Sequence, residues 1–522
     1  MQKVHPLKKA ATLFIAAFSF SSIIAVAEIA PEKITIIDNT YETELDNGLK
    51  VIVRADHRAP VVTSMVWYKV GSVDEPRGLG GISHMLEHMM FKGTDTLGPN
   101  EHSMIIANLG GRDNAFTSTD YTAYFENLPA WELETALKLE ADRMQNLELR
   151  AEDFAPERLV VAEERRQRTD SNPQAQLYEA FNANLFTTSA YRNPVIGWMP
   201  EIEGWTLEDL ANWYQQFYAP NNATVVIVGD VDPEKTIALV EQYFGEIPPS
   251  ENITRPYNFE VAQQGEKRID LAIPANMPLL FMGYKVPSIN EIDAIENQEA
   301  DALLLASLIL DGTSSSRLPK RLVRDEQIAL EAGSYYNYGA RYTTPFTFVA
   351  VPAEGISLAQ IEQALKEEIA LLQNELASEE EIERIIGLYE AGNIYSKDSV
   401  ASQAMLIGQA ETTGEGWQNA ENRVERLKKV TPEMIRQVAQ KYLNEEQATI
   451  ATLHPQQTTI KNSPAKRDEI SNVEISDVET SDRAISDGAT PDREIDIKTV
   501  KSADENSPSE KSNTQETQET AI

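Results

Sequence analysis

The pattern of apolar and polar positions predicts a mixture of strands and helices in the first part of the chain. The segments "LKVIVRAD" and "VVTSMVWYKVG" are rich in β-branched residues and predict two strands, and "TAYFENL" predicts another strand after an intervening helix. The segments "WELETALKLEADRMQNL" and "PERLVVAEERRQRT" have apolar residues at helical spacing and predict helices. Strands adjacent in sequence, with helices grouped between them, indicate an α+β fold whose helices pack on a largely antiparallel sheet.

The same order of elements occurs twice. The segment "TLEDLANWYQQFYAPNNATVVIV", which starts at Thr206, aligns without gaps with "TPEMIRQVAQKYLNEEQATIATL", which starts at Thr431. The segments "YKVGS" from Tyr68 and "YKVPS" from Tyr284 form a second pair in the same order. The offsets are 431 − 206 = 225 and 284 − 68 = 216 residues. Chance similarity is the alternative, but two pairs at nearly the same offset favour two homologous halves.

A segment rich in proline separates these halves. "EIPPSENITRPYN" contains three prolines and is typical of a linker. We therefore predict an N-terminal half over residues 28–245, a linker over 246–268 and a homologous C-terminal half over 269–455.

The start of the chain is typical of a secretory signal peptide. Residues 1–27 combine a positively charged beginning, an apolar run from Ala11 to Ile24 and an A-x-A cleavage site before Glu28. An uncleaved membrane anchor is the alternative, but the apolar run barely reaches the length of a span. We expect an exported protein, periplasmic or secreted, with no membrane span after cleavage.

The other end of the chain has a different composition. Residues 456–522 contain no Phe, Tyr or Trp, and their 8 Lys and Arg against 15 Asp and Glu give a net charge of 8 − 15 = −7. Such a segment cannot bury enough apolar surface to offset its loss of conformational entropy. It is predicted to be a disordered acidic tail.

Charge and cysteine content exclude several classes of function. The 522 residues include 46 Lys and Arg against 82 Asp and Glu, a formal net charge of −36. This balance argues against a nucleic-acid partner, which needs a basic face, and against docking on anionic lipid. The chain has no cysteine, so any metal site must use His, Asp and Glu. Because there are only six histidines, a cluster of them is informative.

The segment "GISHMLEHM" contains such a cluster. On a helix, His84 and His88 lie one turn apart on the same face, where both imidazoles can bind one metal ion. Glu87 falls within the same arc and can reach a metal-bound water. A helix with solvent-facing His and Glu is the alternative, but a Glu between two potential ligands favours a metal site.

A catalytic zinc usually has three protein ligands and one water, so a third ligand is needed. None of the histidines elsewhere in the chain, including His57, His102 and His454, is obviously placed for this role. Glu164 is a candidate because it shares a helical face with Glu157, two turns earlier. A run of Glu-Glu-Arg-Arg is more often a salt-bridged surface, so spacing alone leaves the third ligand open.

The motif and several longer phrases give the sequence a recognisable resemblance. From about Thr40 to Leu453 it resembles the pitrilysin/insulinase family of inverzincin metallopeptidases, and within it the bacterial relatives of the mitochondrial processing peptidase. The phrases that carry the resemblance are "GLGGISHMLEHMMFKGT", "GGRDNAFTSTDYTAYFENLP", "ERLVVAEERR", "YRNPVIGW", "YAPNNATVVIVGDV" and, more weakly, "DGTSSSRL".

The resemblance implies roles for individual residues. His84, His88 and Glu164 match the three ligands of one zinc ion per chain. Glu87 matches the general base that takes a proton from the zinc-activated water. Glu157 matches a nearby acid that supports catalysis.

The resemblance also implies how substrate binds. Asn114, Ala115 and Phe116 match an edge strand that receives a peptide as an added strand. The family fold is two similar halves that close like a clamshell around that peptide. The expected function is therefore a zinc endopeptidase that hydrolyses peptides or unfolded segments.

Only the N-terminal half carries the metal motif. The offset of 216 residues brings the three motif residues to Ala300, Leu303 and Leu304. Two other functions stay open: a non-enzymatic peptide-binding or assembly subunit of the same fold, and a metal store. The intact motif argues against the first, and the scarcity of histidine argues against the second.

One position departs from the family pattern. Active members usually carry Arg and Tyr seven positions apart after the Ser-Arg-Leu segment, and these residues grip substrate. Here Arg324 is followed by Glu331, and a carboxylate cannot donate a hydrogen bond to a developing oxyanion. Either Tyr335 or Tyr336 substitutes, or the phenol comes from a partner. The expected partner is a second copy or a related chain that lacks H-x-x-E-H.

Overall fold

The computed structural model describes residues 34–37, 39–256, 258–291 and 298–456. The predicted signal peptide lies outside these residues, and so does the predicted tail apart from Gln456. Within the described ranges, no helix is both long enough and apolar enough to cross a membrane.

The N-terminal half contains a sheet of seven strands among its described residues. The strands are β1 (Thr35–Ile37), β2 (Thr40–Glu44), β3 (Lys50–Ala55), β4 (Val61–Tyr68), β5 (Arg112–Thr117), β6 (Thr122–Pro129) and β7 (Ala223–Gly229). The helices are α1 (Ile82–Met89), α2 (Glu101–Asn108), α3 (Leu133–Asn146), α4 (Ala151–Arg165), α5 (Pro173–Leu185), α6 (Met199–Gly204), α7 (Leu207–Phe217) and α8 (Pro233–Phe244).

The C-terminal half contains a second sheet, of five strands among its described residues. The strands are β8 (Lys267–Pro274), β9 (Leu279–Val286), β10 (Ala329–Tyr336), β11 (Thr344–Pro352) and β12 (Thr449–Gln456). The helices are α9 (Glu299–Asp311), α10 (Leu358–Asn374), α11 (Glu379–Ser396), α12 (Val400–Thr413), α13 (Trp417–Glu421), α14 (Arg423–Leu427) and α15 (Pro432–Tyr442).

Five strands of the first sheet, β3 to β7, have the same topology as the second sheet. The first has the order β1-β2-β3-β7-β4-β6-β5 and the second, read in the same direction, has the order β8-β12-β9-β11-β10. In each half, the last strand of the chain lies between two earlier strands. Strand β7 lies between β3, to which it is parallel, and β4, to which it is antiparallel. Strand β12 lies in the same way between β8, to which it is parallel, and β9, to which it is antiparallel. The prediction of an α+β fold with two similar, largely antiparallel sheets is confirmed.

The aligned segments at Thr206 and Thr431 occupy equivalent places in the two halves. Each threonine is the N-cap of its helix, and its hydroxyl accepts a hydrogen bond from a backbone N–H in the first turn of α7 or α15. Each helix is followed by the inserted central strand, β7 or β12. The sequence repeat therefore corresponds to a repeated helix–strand unit that completes each sheet.

Each half contributes a helix that packs on the sheet of the other half. Helix α5 of the N-terminal half packs on β8, β9 and β12, and α12 of the C-terminal half packs on β4 and β7. Gly408 of α12 lies directly against the buried Trp67, and a Cβ at this glycine would be 2.0 Å from the indole Nε1. Ile407 and Trp417 of the C-terminal half share this apolar cluster. Because each half covers the sheet of the other, the two sheets form one packed body.

Candidate metal centre

Helix α1 begins at a position that only glycine can occupy easily. Gly81 has a φ of 86°, and a Cβ there would lie 2.4 Å from the carbonyl oxygen of Ile196. The buried carboxylate of Glu75 accepts hydrogen bonds from the backbone N–H groups of Gly81 at 2.7 Å and Ser83 at 2.9 Å. Glu75 thus satisfies N–H groups at the start of the helix, and no motif in the sequence pointed to it.

The other faces of α1 anchor it in the core. Met85, Leu86 and Met89 are fully buried in the main apolar cluster of the N-terminal half. Their burial directs His84 and His88, which are one turn apart, to the remaining face. The two imidazole rings have centroids 4.7 Å apart at an angle of 77°.

Helix α4 brings Glu164 to the two histidines. Glu164 Oε2 lies 3.7 Å from His84 Nε2 and 3.5 Å from His88 Nε2. One ligand atom from each of the three residues lies within 4.8 Å of the others. The neighbouring Glu163 is instead 55% exposed and pairs with Arg166. The structure therefore brings together the three residues that the resemblance implies as ligands, and Glu163 faces away from them.

The polar atoms at the centre of this group fit a metal ion. Glu164 Oε2 is buried and has no hydrogen-bond partner among the described residues. A buried carboxylate oxygen without a partner is costly, and both Nε2 atoms face it at more than hydrogen-bonding distance. Two imidazoles and one carboxylate are a common ligand set of catalytic zinc.

Charged side chains contact the candidate ligands His88 and Glu164 from outside the centre. His88 Nδ1 lies 2.9 Å from Glu157 Oε1, to which it donates, and Lys92 Nζ lies 2.6 Å from Glu157 Oε2. Arg168 Nη1 lies 2.8 Å from Glu164 Oε1. Glu157 thus contacts a candidate ligand from outside the centre, as an outer carboxylate does in many metal sites. Lys92 and Arg168 were not anticipated from the sequence.

The two histidines have opposite pKa shifts. Burial lowers the pKa of His84 to about 4, and the neighbouring His88 adds to this effect. Burial also disfavours the charged form of His88, but the hydrogen bond to Glu157 and the nearby carboxylate of Glu164 outweigh it and raise the pKa to about 9. Burial similarly disfavours the ionised form of both carboxylates, yet the nearby His88 lowers the pKa of Glu157 and of Glu164. At neutral pH and without metal, His88 is therefore protonated and His84 is neutral.

Glu87 contacts the end of the edge strand. The hydroxyl of Thr117, the last residue of β5, donates to Glu87 Oε2 at 2.5 Å, which leaves Oε1 available to another partner. Burial raises the pKa of Glu87, although this hydrogen bond opposes the shift. A carboxylate with a raised pKa is suited to accept and return a proton.

Strand β5 is the outer strand of its sheet and pairs with β6. Asn114 is exposed and Ala115 is partly exposed on this strand. Phe116 packs edge-on against Trp67, with ring centroids 5.5 Å apart, and against Tyr121 at 6.1 Å. The edge places backbone groups of β5 beside Glu87, whereas the Phe116 ring belongs mainly to the cluster between the halves.

The residues of the expected substrate grip lie in the C-terminal half. Arg324 is exposed at the end of a π-helical segment, Pro319–Asp325. Tyr335 is 40% exposed on β10, but Tyr336 is buried and its hydroxyl donates to the carbonyl of Pro287 at 2.6 Å. Tyr336 is therefore a core residue and does not replace the missing phenol at Glu331.

A second group of potential ligands among the described residues is fully buried. It consists of His102, Glu126 and Glu140, with the guanidinium of Arg143 bonded to Glu140. Two carboxylates and one guanidinium carry a net charge of −1, which a single proton neutralises and a divalent ion overcompensates. Burial raises the pKa of Glu126, and it raises that of Glu140 to about 8. The charge balance favours a shared proton over a metal.

Comparison with known proteins is consistent with this fold. Residues 50–198 match the family model described as "Insulinase (Peptidase family M16)", and residues 204–389 match the "Peptidase M16 inactive domain". The zinc protease PqqE of Helicobacter pylori is 36% identical over 333 residues, which cover 63% of this chain and 73% of the relative.

Solved structures agree with the sequence matches. The crystal structure of a protease from Helicobacter pylori has a TM-score of 0.75 at 30% identity and covers 79% of this chain and 99% of the other. The periplasmic protease PqqL from Escherichia coli shares the fold, with a TM-score of 0.68 at 19% identity over 81% of this chain and 48% of that one.

The fold and the sequence matches define a peptidase-type α+β protein whose first half carries the H-x-x-E-H motif and whose second half resembles the inactive domain of such peptidases. The chain belongs to the insulinase family, peptidase family M16. The family predicted from the sequence is confirmed.

Proposed function

We propose that this protein is a zinc-dependent endopeptidase that hydrolyses peptides or unfolded segments. The observation that carries the proposal is the convergence of His84, His88 and Glu164 on one point, with Glu87 on the same helix face. The naming of the Helicobacter pylori relative as a zinc protease supports it. One zinc ion held by these three residues would act as a Lewis acid toward water and the scissile carbonyl.

The protein's own residues divide the remaining work. Glu87 takes the proton of the attacking water and delivers it to the leaving amine. Thr117 holds one oxygen of Glu87, so the other oxygen has a fixed direction for this transfer. Glu157 keeps His88 in one orientation by accepting from its Nδ1. A peptide that pairs with the open edge of β5 would bring its carbonyl beside these groups.

The missing phenol suggests a partner. Glu331 stands where the family pattern has a tyrosine, and Tyr336 is buried in the core. We therefore propose that the protein acts with a second copy or with a related chain lacking H-x-x-E-H, which supplies the hydrogen-bond donor near the scissile carbonyl. On this proposal, turnover by the isolated chain is slow.

The proposed site of action is outside the cytoplasm. The sequence begins with a predicted signal peptide, and a structural neighbour from Escherichia coli is described as periplasmic. We propose a periplasmic or secreted location for the mature protein.

Removal of the metal is the direct test of the function. Purified mature protein is incubated with a mixed peptide library, and cleavage is followed by mass spectrometry with and without a strong chelator. We expect cleavage within peptides. The chelator should abolish this cleavage and stoichiometric zinc should restore it, because the proposed reaction depends on the bound metal. Stoichiometric zinc without cleavage, alone or with the related chain, would instead support a non-enzymatic peptide-binding subunit.

Zinc binding is expected to release about one proton at pH 7. The pKa of His88 is about 9 without metal and that of His84 is about 4, so zinc must displace a proton from His88 alone. The apparent binding constant should therefore rise about tenfold per pH unit between pH 6 and 8. Calorimetry in buffers of different ionisation enthalpy counts the protons, and Glu157→Gln should reduce their number. An affinity that is independent of pH contradicts this account.

A further inference from the structure

Arg341 belongs to the half without the metal motif, yet its side chain is buried among residues of the other half. It lies in the loop between β10 and β11, and its Nη2 donates to Asp74 Oδ2 at 2.6 Å. Its Nε and its backbone N donate to the two oxygens of Asp120, both at 3.3 Å. Tyr191 also donates to Asp120, at 2.6 Å, and Arg255 Nε lies 3.4 Å from Asp74 Oδ1.

The centre of this group is sealed from solvent. The side chains of Arg341, Asp74 and Asp120 are 4%, 2% and 3% exposed. Two carboxylates face two guanidinium groups when Arg255 is included. Removing Arg341 would take away the cation that pairs with Asp120, and a buried charge without its counter-ion is strongly unfavourable.

Asp74 connects Arg341 to the metal-bearing helix. It lies in the loop between β4 and α1, and the next residue, Glu75, is the carboxylate that accepts from the first N–H groups of α1. In the same loop, the backbone N–H groups of Ser72 and Val73 donate to carbonyls of the turn between β5 and β6. The loop and the turn are thus bonded to each other where Arg341 contacts both.

Asp120 connects Arg341 to the general base. It lies in the β5–β6 turn, three residues after Thr117, whose hydroxyl donates to Glu87. One guanidinium therefore joins the loop that fixes the start of α1 to the turn that fixes the partner of Glu87. Both segments belong to the N-terminal half, and the cation that joins them comes from the C-terminal half.

We propose that Arg341 is a positioning residue for peptide hydrolysis. It is supplied by the half without the metal motif, and it holds α1 and the β5–β6 turn in fixed positions relative to each other. This inference rests on the proposed peptidase function. It gives the C-terminal half a role in the site although that half carries no ligand. A lysine cannot replace Arg341, because a single ammonium does not offer the separated, planar donors that reach both carboxylates.

The test compares Arg341→Gln with a matched variant, Arg54→Gln. Arg54 is also a buried arginine between the halves, with Nη1 2.8 Å from Glu421 Oε1 and a side chain 8% exposed. It lies on β3, away from α1 and the β5–β6 turn. Arg54→Gln loses one ion pair between the halves and Arg341→Gln loses two, so the thermal midpoint of each variant is measured alongside, and only Arg341 contacts the two segments.

Two readouts decide the question. Hydrogen exchange of the full-length protein is followed by mass spectrometry in peptides that cover residues 70–90 and 112–124, and kcat and KM are measured on a cleaved peptide. For Arg341→Gln we expect at least tenfold faster exchange in both segments and a kcat reduced roughly tenfold to a hundredfold with KM little changed. For Arg54→Gln we expect wild-type exchange in these segments and wild-type kcat.

Unchanged exchange in the two segments, or a loss of kcat equal to that of Arg54→Gln, overturns the proposal. If Arg341→Gln does not accumulate as folded protein, Arg341→Lys takes its place, since it keeps the charge but not the fork. If the wild-type protein hydrolyses no peptide, the proposed function fails. The exchange measurement then still decides whether Arg341 holds the two segments.

Discussion

Replacing Glu87 with glutamine is expected to lower kcat by a factor of about 10²–10⁴ while the protein keeps its zinc. The amide has nearly the same shape and still accepts the hydrogen bond from Thr117, but it cannot take a proton from water at neutral pH. Burial raises the pKa of Glu87, so its ionised form is disfavoured in the folded state. The neutral glutamine should therefore leave thermal stability unchanged or slightly increased.

Three measurements on Glu87→Gln separate chemistry from folding and metal binding. Zinc content by elemental analysis should stay at one ion per chain, the thermal midpoint should not fall, and KM should change little. A variant that keeps more than about a tenth of wild-type kcat contradicts the assignment of the general base. Loss of zinc together with activity would mean that Glu87 is a ligand instead.

Replacing Glu164 with glutamine is expected to weaken zinc binding by more than about a hundredfold. Loss of an outer partner of a ligand typically costs 10–100-fold in affinity, and Glu164 is the proposed ligand itself. Its carboxylate is the anionic member of the set, and its Oε2 lies within 3.7 Å of both histidine Nε2 atoms. A neutral amide removes the charge that offsets the dication.

The adjacent glutamate provides a matched control for this experiment. Glu163→Gln makes the same chemical change one residue away, on an exposed side chain that pairs with Arg166. It should keep wild-type zinc affinity, measured by competition with a metal-sensitive chelator. Stoichiometric zinc and full activity in Glu164→Gln, or loss of zinc in Glu163→Gln, would show that the third ligand is assigned wrongly.

Much of the fold could be predicted because its signals are local or repeated. Alternating and helical spacing of apolar residues identified strands and helices before any tertiary contact was known. The repeat at Thr206 and Thr431 identified two equivalent helix–strand units, and the structure places β7 and β12 at the same position of their sheets. The packing of α5 and α12 on the sheet of the opposite half gave no such signal, because it depends on the fit between surfaces that lie far apart in the sequence.

Part of the site could not be predicted for the same reason. Glu75 contacts the start of α1, Thr117 contacts Glu87 and Lys92 contacts Glu157, and no spacing rule connects these pairs. The tyrosine substitution considered at Tyr336 was wrong because neighbouring residues of a strand point to opposite faces. Once the register of β10 is known, Tyr336 faces the core and its hydroxyl is bonded to Pro287.

The sequence by itself determined the relative positions of His84, Glu87 and His88, since the 3.6-residue turn of a helix places them on one face wherever the helix lies. It did not determine which of two adjacent glutamates faces the two histidines. Only the tertiary structure decided this, through the rotation of α4 about its own axis. Burial of Val161 and Ala162 in the core fixes that rotation, so Glu164 faces the histidines and Glu163 faces solvent.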